Sequence, residues 1–443
     1  MFLKIILKVR YPPIQPNWMS ALFSTSSESN QLQKKIVIAG GGTGGITMAA
    51  KLLGIGEKDV TVIEPSEMHY YQPLWTLVGG RKVRLEKSGR STSSIMPQGA
   101  NWIQDTIVQL DPTNNSIYTE KYGQIEYSYL IVALGLELAF HKIIGLPEAL
   151  DTAGVCSNYS HKTVQKTAQA LKEFKGGNAI FTQPVNPIKC AGAPQKIAYL
   201  SEEYFRKNGK LEGTNIIFNT ALGKIFSVPV YGALLEEVAK KKNITVNYLH
   251  NLIEVKPESK EAIFQKLDPK GNEVDKQAFK YNMLHITPPM VAASVVRKSI
   301  LADSSGFMAV NRFTLQSTKF SNIFGIGDCT NLPTSKTAAA VAGQSGILLK
   351  NIKLAMDGKE PAYKYDGYTS CPLVTGYKKC VLAEFNYELE PLETLPINQA
   401  KERYISYFIK KEILPIVYWN FMLKGKWSGP STIRKFLHLG MSK

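Results

Sequence analysis

A chain of 443 residues is long enough for two or three domains around a sizeable core, and its 44% apolar and 20% charged residues are ordinary for a globular protein. Five cysteines without a C-x-x-C pair or zinc spacing exclude a disulfide-stapled scaffold and a thiolate metal centre, so no metal is expected. The formal charge of +17 asks for an anionic partner: nucleic acid, an acidic membrane surface or a small anion.

In chain order, residues 1–33 carry Lys4, Lys8 and Arg10, a Ser/Thr cluster and no acid before Glu28. That composition predicts a mitochondrial presequence. Next, "KKIVIAG" (34–40) reads as a buried strand, "GGTGGITMAAKLL" as a turn into an apolar-faced helix, and "DVTVIEP" (59–65) as a second strand. Gly40, Gly42 and Gly45 supply G-x-G-x-x-G in the strand-to-helix setting a dinucleotide needs. They allow a tight turn, close approach of a pyrophosphate, and packing of helix on strand. Glu64 ends the second strand, 19 residues after Gly45, where a carboxylate can accept from ribose hydroxyls.

"YSYLIVALG" (127–135) is a further strand running into a glycine turn. Strand 178–183, helix 194–207 and strand 213–220 repeat the β-turn-α plan. The turn between strand and helix, within "TQPVNPIKCAGAPQK" (182–196), has Pro184, Pro187 and Cys190 where a nicotinamide dinucleotide wants glycines, so NAD binding is not expected there. Cys190 instead precedes a helix and adjoins Lys189, both of which favour thiolate. "SNIFGIGDCTNLPTSKTAAAVAGQSGILLKNI" (321–352) is a strand, an acidic turn at Asp328 and a long helix beginning near Lys336, whose N-terminus would face an electron-rich group. Cys371 lies in "YDGYTSCPLVTGY" (365–377), read as a Tyr/Gly/Pro-rich turn. Cys190 and Cys371, each beside such a segment, suggest a redox pair. Cys156, Cys329 and Cys380 read as structural thiols, and His69 as a hydrogen-bonded structural histidine.

The last 43 residues hold nine Lys and Arg against Glu402 and Glu412, interleaved with aromatic residues. Ile405, Phe408 and Ile409 share a helical face with Lys410 and Lys411 outside it. Ile433, Phe436 and Leu437 repeat the arrangement beside Arg434 and Lys435, and Tyr418, Trp419 and Trp427 suit a headgroup zone. Two amphipathic helices at an anionic membrane surface are expected, and no nucleic-acid partner. No apolar stretch reaches bilayer-spanning length.

Segments 127–135 and 321–352 resemble those of two-dinucleotide-domain flavoproteins. "KCAGAPQK" (189–196), "FGIGDCTNLPTSKTAAAVA" (324–342), "YDGYTSCPLVTGY" and "PLETLP" (391–396) are similar to the mitochondrial sulfide:quinone oxidoreductase family, from about Lys34 onward. The resemblance implies an α/β fold of two Rossmann-like dinucleotide-binding domains plus a C-terminal amphipathic membrane-binding region. The FAD domain would be discontinuous, 34–150 and 301–365, interrupted by a second Rossmann-like domain with a redox cysteine at 151–300. A redox loop and monotopic helices would follow at 366–443. FAD would be held by Gly40, Gly42, Thr43, Gly45, Glu64, Gln72, Ile107 and Asp328, with the helix start Lys336, Thr337, Ala338 and Ala339. Cys190 and Cys371 would be the catalytic pair. Hydrogen sulfide would open a sulfur bridge between them, leaving a persulfide on Cys371, and the Cys190 thiolate would reduce the flavin. Ubiquinone would take two electrons, and a small acceptor, glutathione or sulfite, the sulfane sulfur. The implied place is the matrix side of the mitochondrial inner membrane. A single-subunit NADH:quinone dehydrogenase would need the nicotinamide cradle that 182–196 lacks.

Overall fold

The computed structural model describes residues 35–185 and 187–439; the presequence expected over 1–33 lies outside them. Ile36–Ala39 is buried on both faces, as a parallel strand covered by helices must be. It pairs in parallel with Val60–Ile63 on one side and Tyr129–Val132 on the other. Asn101–Ile103 extends one edge and Ile323–Gly325 the other, the latter in register with Leu130, Ile131 and Val132. A strand near residue 323 thus completes a sheet begun at residue 36.

The chain between them forms a second parallel sheet in the order Val155–Cys156, Met283–His285, Gly177–Gln183, Thr214–Thr220, Ile244–Asn247. Helices Ala193–Lys207 and Pro229–Lys241 make the crossovers, each with Pro in its first turn, where a missing N–H costs nothing. Two antiparallel three-stranded sheets are appended, Ile107–Asp111 with its two partners and His250–Lys256 with its two.

Two regions differ from the sequence expectation. Residues around Cys371 form a strand, Thr369–Gly376, in a hairpin with Lys379–Phe385, with Cys371 opposite Ala383. Pro372 disguises it as a turn, yet a two-stranded ribbon has a free edge that needs no donor. The second region is the tail. Tyr404–Phe408, Ile409–Ile413, Leu414–Val417 and Tyr418–Met422 form one helical run in which two stretches are π-helical. Extra residues per turn re-aim the side chains, so 3.6-residue spacing misplaces them. Lys410, Tyr418 and Trp419, expected outside, are buried, as is Arg434 in the short helix Ser431–Leu437.

Candidate active site: a thiol pair beside a dinucleotide cleft

The glycine turn is built by close approaches. Gly40 has φ +101°, and a Cβ there would lie 2.7 Å from the Ala133 carbonyl oxygen; one on Gly45 would lie 1.8 Å from that of Gly40. A Cβ on Gly42 would meet nothing within 4 Å, leaving open space at the start of helix Thr43–Gly54. Glu64 folds onto this turn, accepting from the Gly41 N–H (2.8 Å) and the Ser66 N–H (2.9 Å). Each carboxylate oxygen keeps acceptor capacity for a ribose hydroxyl. Ile107 begins the strand Ile107–Asp111 of the appended antiparallel sheet, buried and opposite Thr119, and Gln72 opens a tight turn with its Oε1 accepting from Lys189 Nζ at 2.9 Å.

The late helix Ala338–Met356 supplies a second N-terminus. Thr337 caps it, its Oγ1 accepting from the Ala340 N–H at 3.0 Å, while the N–H groups of Ala338 and Ala339 have no acceptor within the helix. Lys336 turns back: its Nζ donates to the carbonyls of Asp328 (2.7 Å) and Thr330 (2.8 Å). Asp328, Thr334, Lys336, Thr337 and Ala340 line a small cleft at this helix start. An open glycine turn, an acidic residue ending the second strand and a free helix N-terminus fit a flavin dinucleotide.

The sulfur atoms meet where the second turn touches that helix start. The Cys190 N–H donates to the Lys336 carbonyl (2.9 Å), and the Cys190 carbonyl accepts from the Ala193 N–H (2.7 Å). Cys190 itself takes φ +50°, an uncommon conformation for a residue with a Cβ. Its Sγ lies 3.1 Å from Cys371 Sγ, against about 2.05 Å in a disulfide, so both are free thiols poised to bridge. Gly192 makes room, because a Cβ there would lie 2.3 Å from Leu373 Cδ2 and 3.0 Å from Cys371 Sγ.

The ammonium at this pair is Lys196, not Lys189. Lys196 is 3% exposed, and its Nζ lies 3.2 Å from Cys190 Sγ. The Cys371 thiol as donor, and then the Lys196 charge, hold the Cys190 thiol well below its ordinary pKa against the opposing effect of burial. The same thiol–thiol hydrogen bond raises Cys371 well above. A second buried ammonium, Lys410, donates to the Pro73 carbonyl at 2.6 Å; burial first, and the nearby Lys196 second, bring its pKa down to about 8. Lys196 had a sequence signal. Helical side chains lean toward the helix N-terminus, so a lysine one turn inside leans back over the preceding turn. Lys410 had none.

The remaining cysteines are buried donors to carbonyls or their neighbours. Cys156 Sγ is 3.7 Å from the Leu284 carbonyl oxygen and Cys329 Sγ 3.4 Å from that of Val132, and burial pushes the thiols of Cys156 and Cys380 up to about 12. Among the described residues, no His, Cys, Asp and Glu cluster could hold a metal ion.

The pyridine nucleotide-disulphide oxidoreductase family matches residues 34–178. The mitochondrial sulfide:quinone oxidoreductase of Mus musculus is 54% identical over 409 residues, 92% of this chain and 90% of the mouse protein. That of Dictyostelium discoideum is 45% identical over 403 residues, 90% of this chain and 88% of its own length. The solved sulfide:quinone oxidoreductase of Aquifex aeolicus shares the fold, with a TM-score of 0.73 at 19% identity over 92% of this chain and 95% of that one. The chain belongs to the mitochondrial sulfide:quinone oxidoreductase family and is a flavin-dependent oxidoreductase.

Proposed function

We propose that sulfide is oxidised at Cys190 and Cys371, that FAD is the flavin, and that ubiquinone receives the electrons. The observation that carries this reading is the 3.1 Å separation of the two sulfur atoms with Lys196 Nζ 3.2 Å from one of them. In the bridged state, the ammonium groups of Lys196 and Lys410 draw in hydrosulfide, which attacks the sulfur on Cys371. The bond to Cys190 breaks, and Cys190 leaves as a thiolate that Lys196 stabilises; a low thiol pKa makes it the better leaving group. Cys371, enclosed in its hairpin, keeps the persulfide sulfur until glutathione or sulfite removes it. FAD, when bound, would supply the acceptor for the two electrons released as Cys190 and Cys371, freed of the sulfane sulfur, re-form their bridge, and the link to ubiquinone. Gly42, Thr43, Glu64, Gln72, Ile107 and Asp328 would hold it, with the N–H groups of Ala338 and Ala339 facing its electron-rich end.

The domain plan follows the same reading, with 151–300 inserted between the two parts of an FAD domain. No helix among the described residues is long and apolar enough to cross a membrane. The tail exposes Tyr404, Phe408, Ile416, Phe421 and Phe436, the last 79% accessible, between exposed Lys424, Lys426 and Lys435. That mixture supports attachment to an anionic lipid surface, where ubiquinone is found, and the matrix face of the mitochondrial inner membrane is the proposed location. Sulfide-dependent decylubiquinone reduction tests the mechanism. Cys190→Ser and Cys371→Ser should each lower it by roughly a thousandfold or more while flavin stays bound. Near-normal turnover in either variant would sink the assignment.

A further inference from the structure

The C-terminal helical run reaches into the dinucleotide turn. Tyr418 is 2% exposed, and its hydroxyl lies 2.8 Å from Thr43 Oγ1 and 2.5 Å from His69 Nε2. The other ring nitrogen of His69 is 3.3 Å from the Gly41 carbonyl oxygen, which can only accept. Burial lowers the His69 pKa to about 4, so the ring is neutral near pH 7 and has one N–H. With that proton on Nδ1 for Gly41, Nε2 accepts from Tyr418, and the Tyr418 oxygen accepts from the Thr43 hydroxyl. The chain of bonds thus closes on both sides of Gly42, the position left open for a pyrophosphate. Tyr71 packs against Tyr418 with ring centroids 4.4 Å apart. A second hold lies further along the same cofactor helix, where Lys51 Nζ donates to the Gly425 carbonyl (3.1 Å) and Ser428 Oγ (2.7 Å).

We infer that Tyr418 is a positioning residue of the flavin site, acting through Thr43 and His69 to fix the Gly41–Thr43 turn, so that the C-terminal run retains the cofactor. A tail with only a surface role would have no need of a buried hydroxyl aimed at residues 375 positions earlier. The inference rests on the flavin reading of this cleft, and the flavin absorbance of purified wild-type protein tests that reading separately.

Tyr418→Phe removes one oxygen and keeps the packed ring. The experiment follows flavin fluorescence as the cofactor leaves the holoprotein after dilution, without turnover. Loss of these neutral hydrogen bonds should speed release roughly 2- to 10-fold. Thr43→Val provides the readout that a general packing role would not move: Tyr418→Phe should add clearly less in the Thr43→Val background than alone. If a variant is isolated without flavin, the affinity of its apoprotein for added FAD is measured instead, and weakened binding is expected. Release or affinity equal to wild type in Tyr418→Phe, or full additivity with Thr43→Val, overturns the inference.

Discussion

In the first strand-turn-helix unit, 36–54, a Cβ on Gly42 would meet nothing within 4 Å, whereas in the second, 177–207, one on Gly192 would press into Leu373 and Cys371. The two units share a plan and differ in what occupies the mouth of the turn. In the first, open space lies at the start of the helix, where an anion fits. In the second, the strand Thr369–Gly376 crowds the turn at Gly192 and brings a sulfur to Cys190. The electropositive helix start that suits a phosphate also suits a thiolate, and Lys196 adds the full charge that a helix dipole lacks.

Removing that charge should give the largest break. Lys196→Met returns Cys190 toward an ordinary thiol, so iodoacetamide labelling of the reduced protein at pH 7 should slow roughly 30-fold. Wild-type labelling should be nearly flat from pH 7 to 9, while the variant's rises with pH. The two glycines give a reciprocal test. Gly192→Ala should destabilise the fold by about 1–3 kcal/mol in urea while flavin binding survives. Gly42→Ala should leave apoprotein stability within about 0.5 kcal/mol and weaken flavin binding instead. The reverse pattern would break the comparison. The smallest effect concerns Lys410. Its folded pKa of about 8 lies below the ordinary 10.5, so the unfolded state binds more protons between those values and wild-type stability rises with pH across that window. Lys410→Met should therefore be more stable at pH 7, by about 1 kcal/mol after the lost bond to Pro73, and the advantage should vanish by the upper end of that window. Denaturant midpoints at several pH values measure it.

Most of the first parallel sheet was legible in the sequence because a strand buried on two faces reads as an unbroken apolar run, as in Ile36–Ala39 and Tyr129–Val132, whereas in the second sheet only the two strands flanking helix Ala193–Lys207 were read and the short strands Val155–Cys156, Ile244–Asn247 and Met283–His285 were not. Cys190 was legible as the replacement for missing glycines. The strand under Cys371 was hidden by Pro372, whose acceptability depends on a free ribbon edge that local sequence does not display. Lys410 was hidden by its charge, which reads as solvent-facing until a π-helical stretch and the Pro73 carbonyl turn it inward. The Tyr418–Thr43 contact joins residues 375 positions apart, beyond any periodic signal.

Anaerobic stopped-flow absorbance of the flavin tests most directly whether the second turn carries sulfur chemistry in place of nicotinamide. Sulfide should bleach the flavin of the wild-type protein rapidly and NADH should not, with Cys371→Ser unresponsive to both. Rapid bleaching by NADH, or undiminished bleaching by sulfide in Cys371→Ser, would contradict the account.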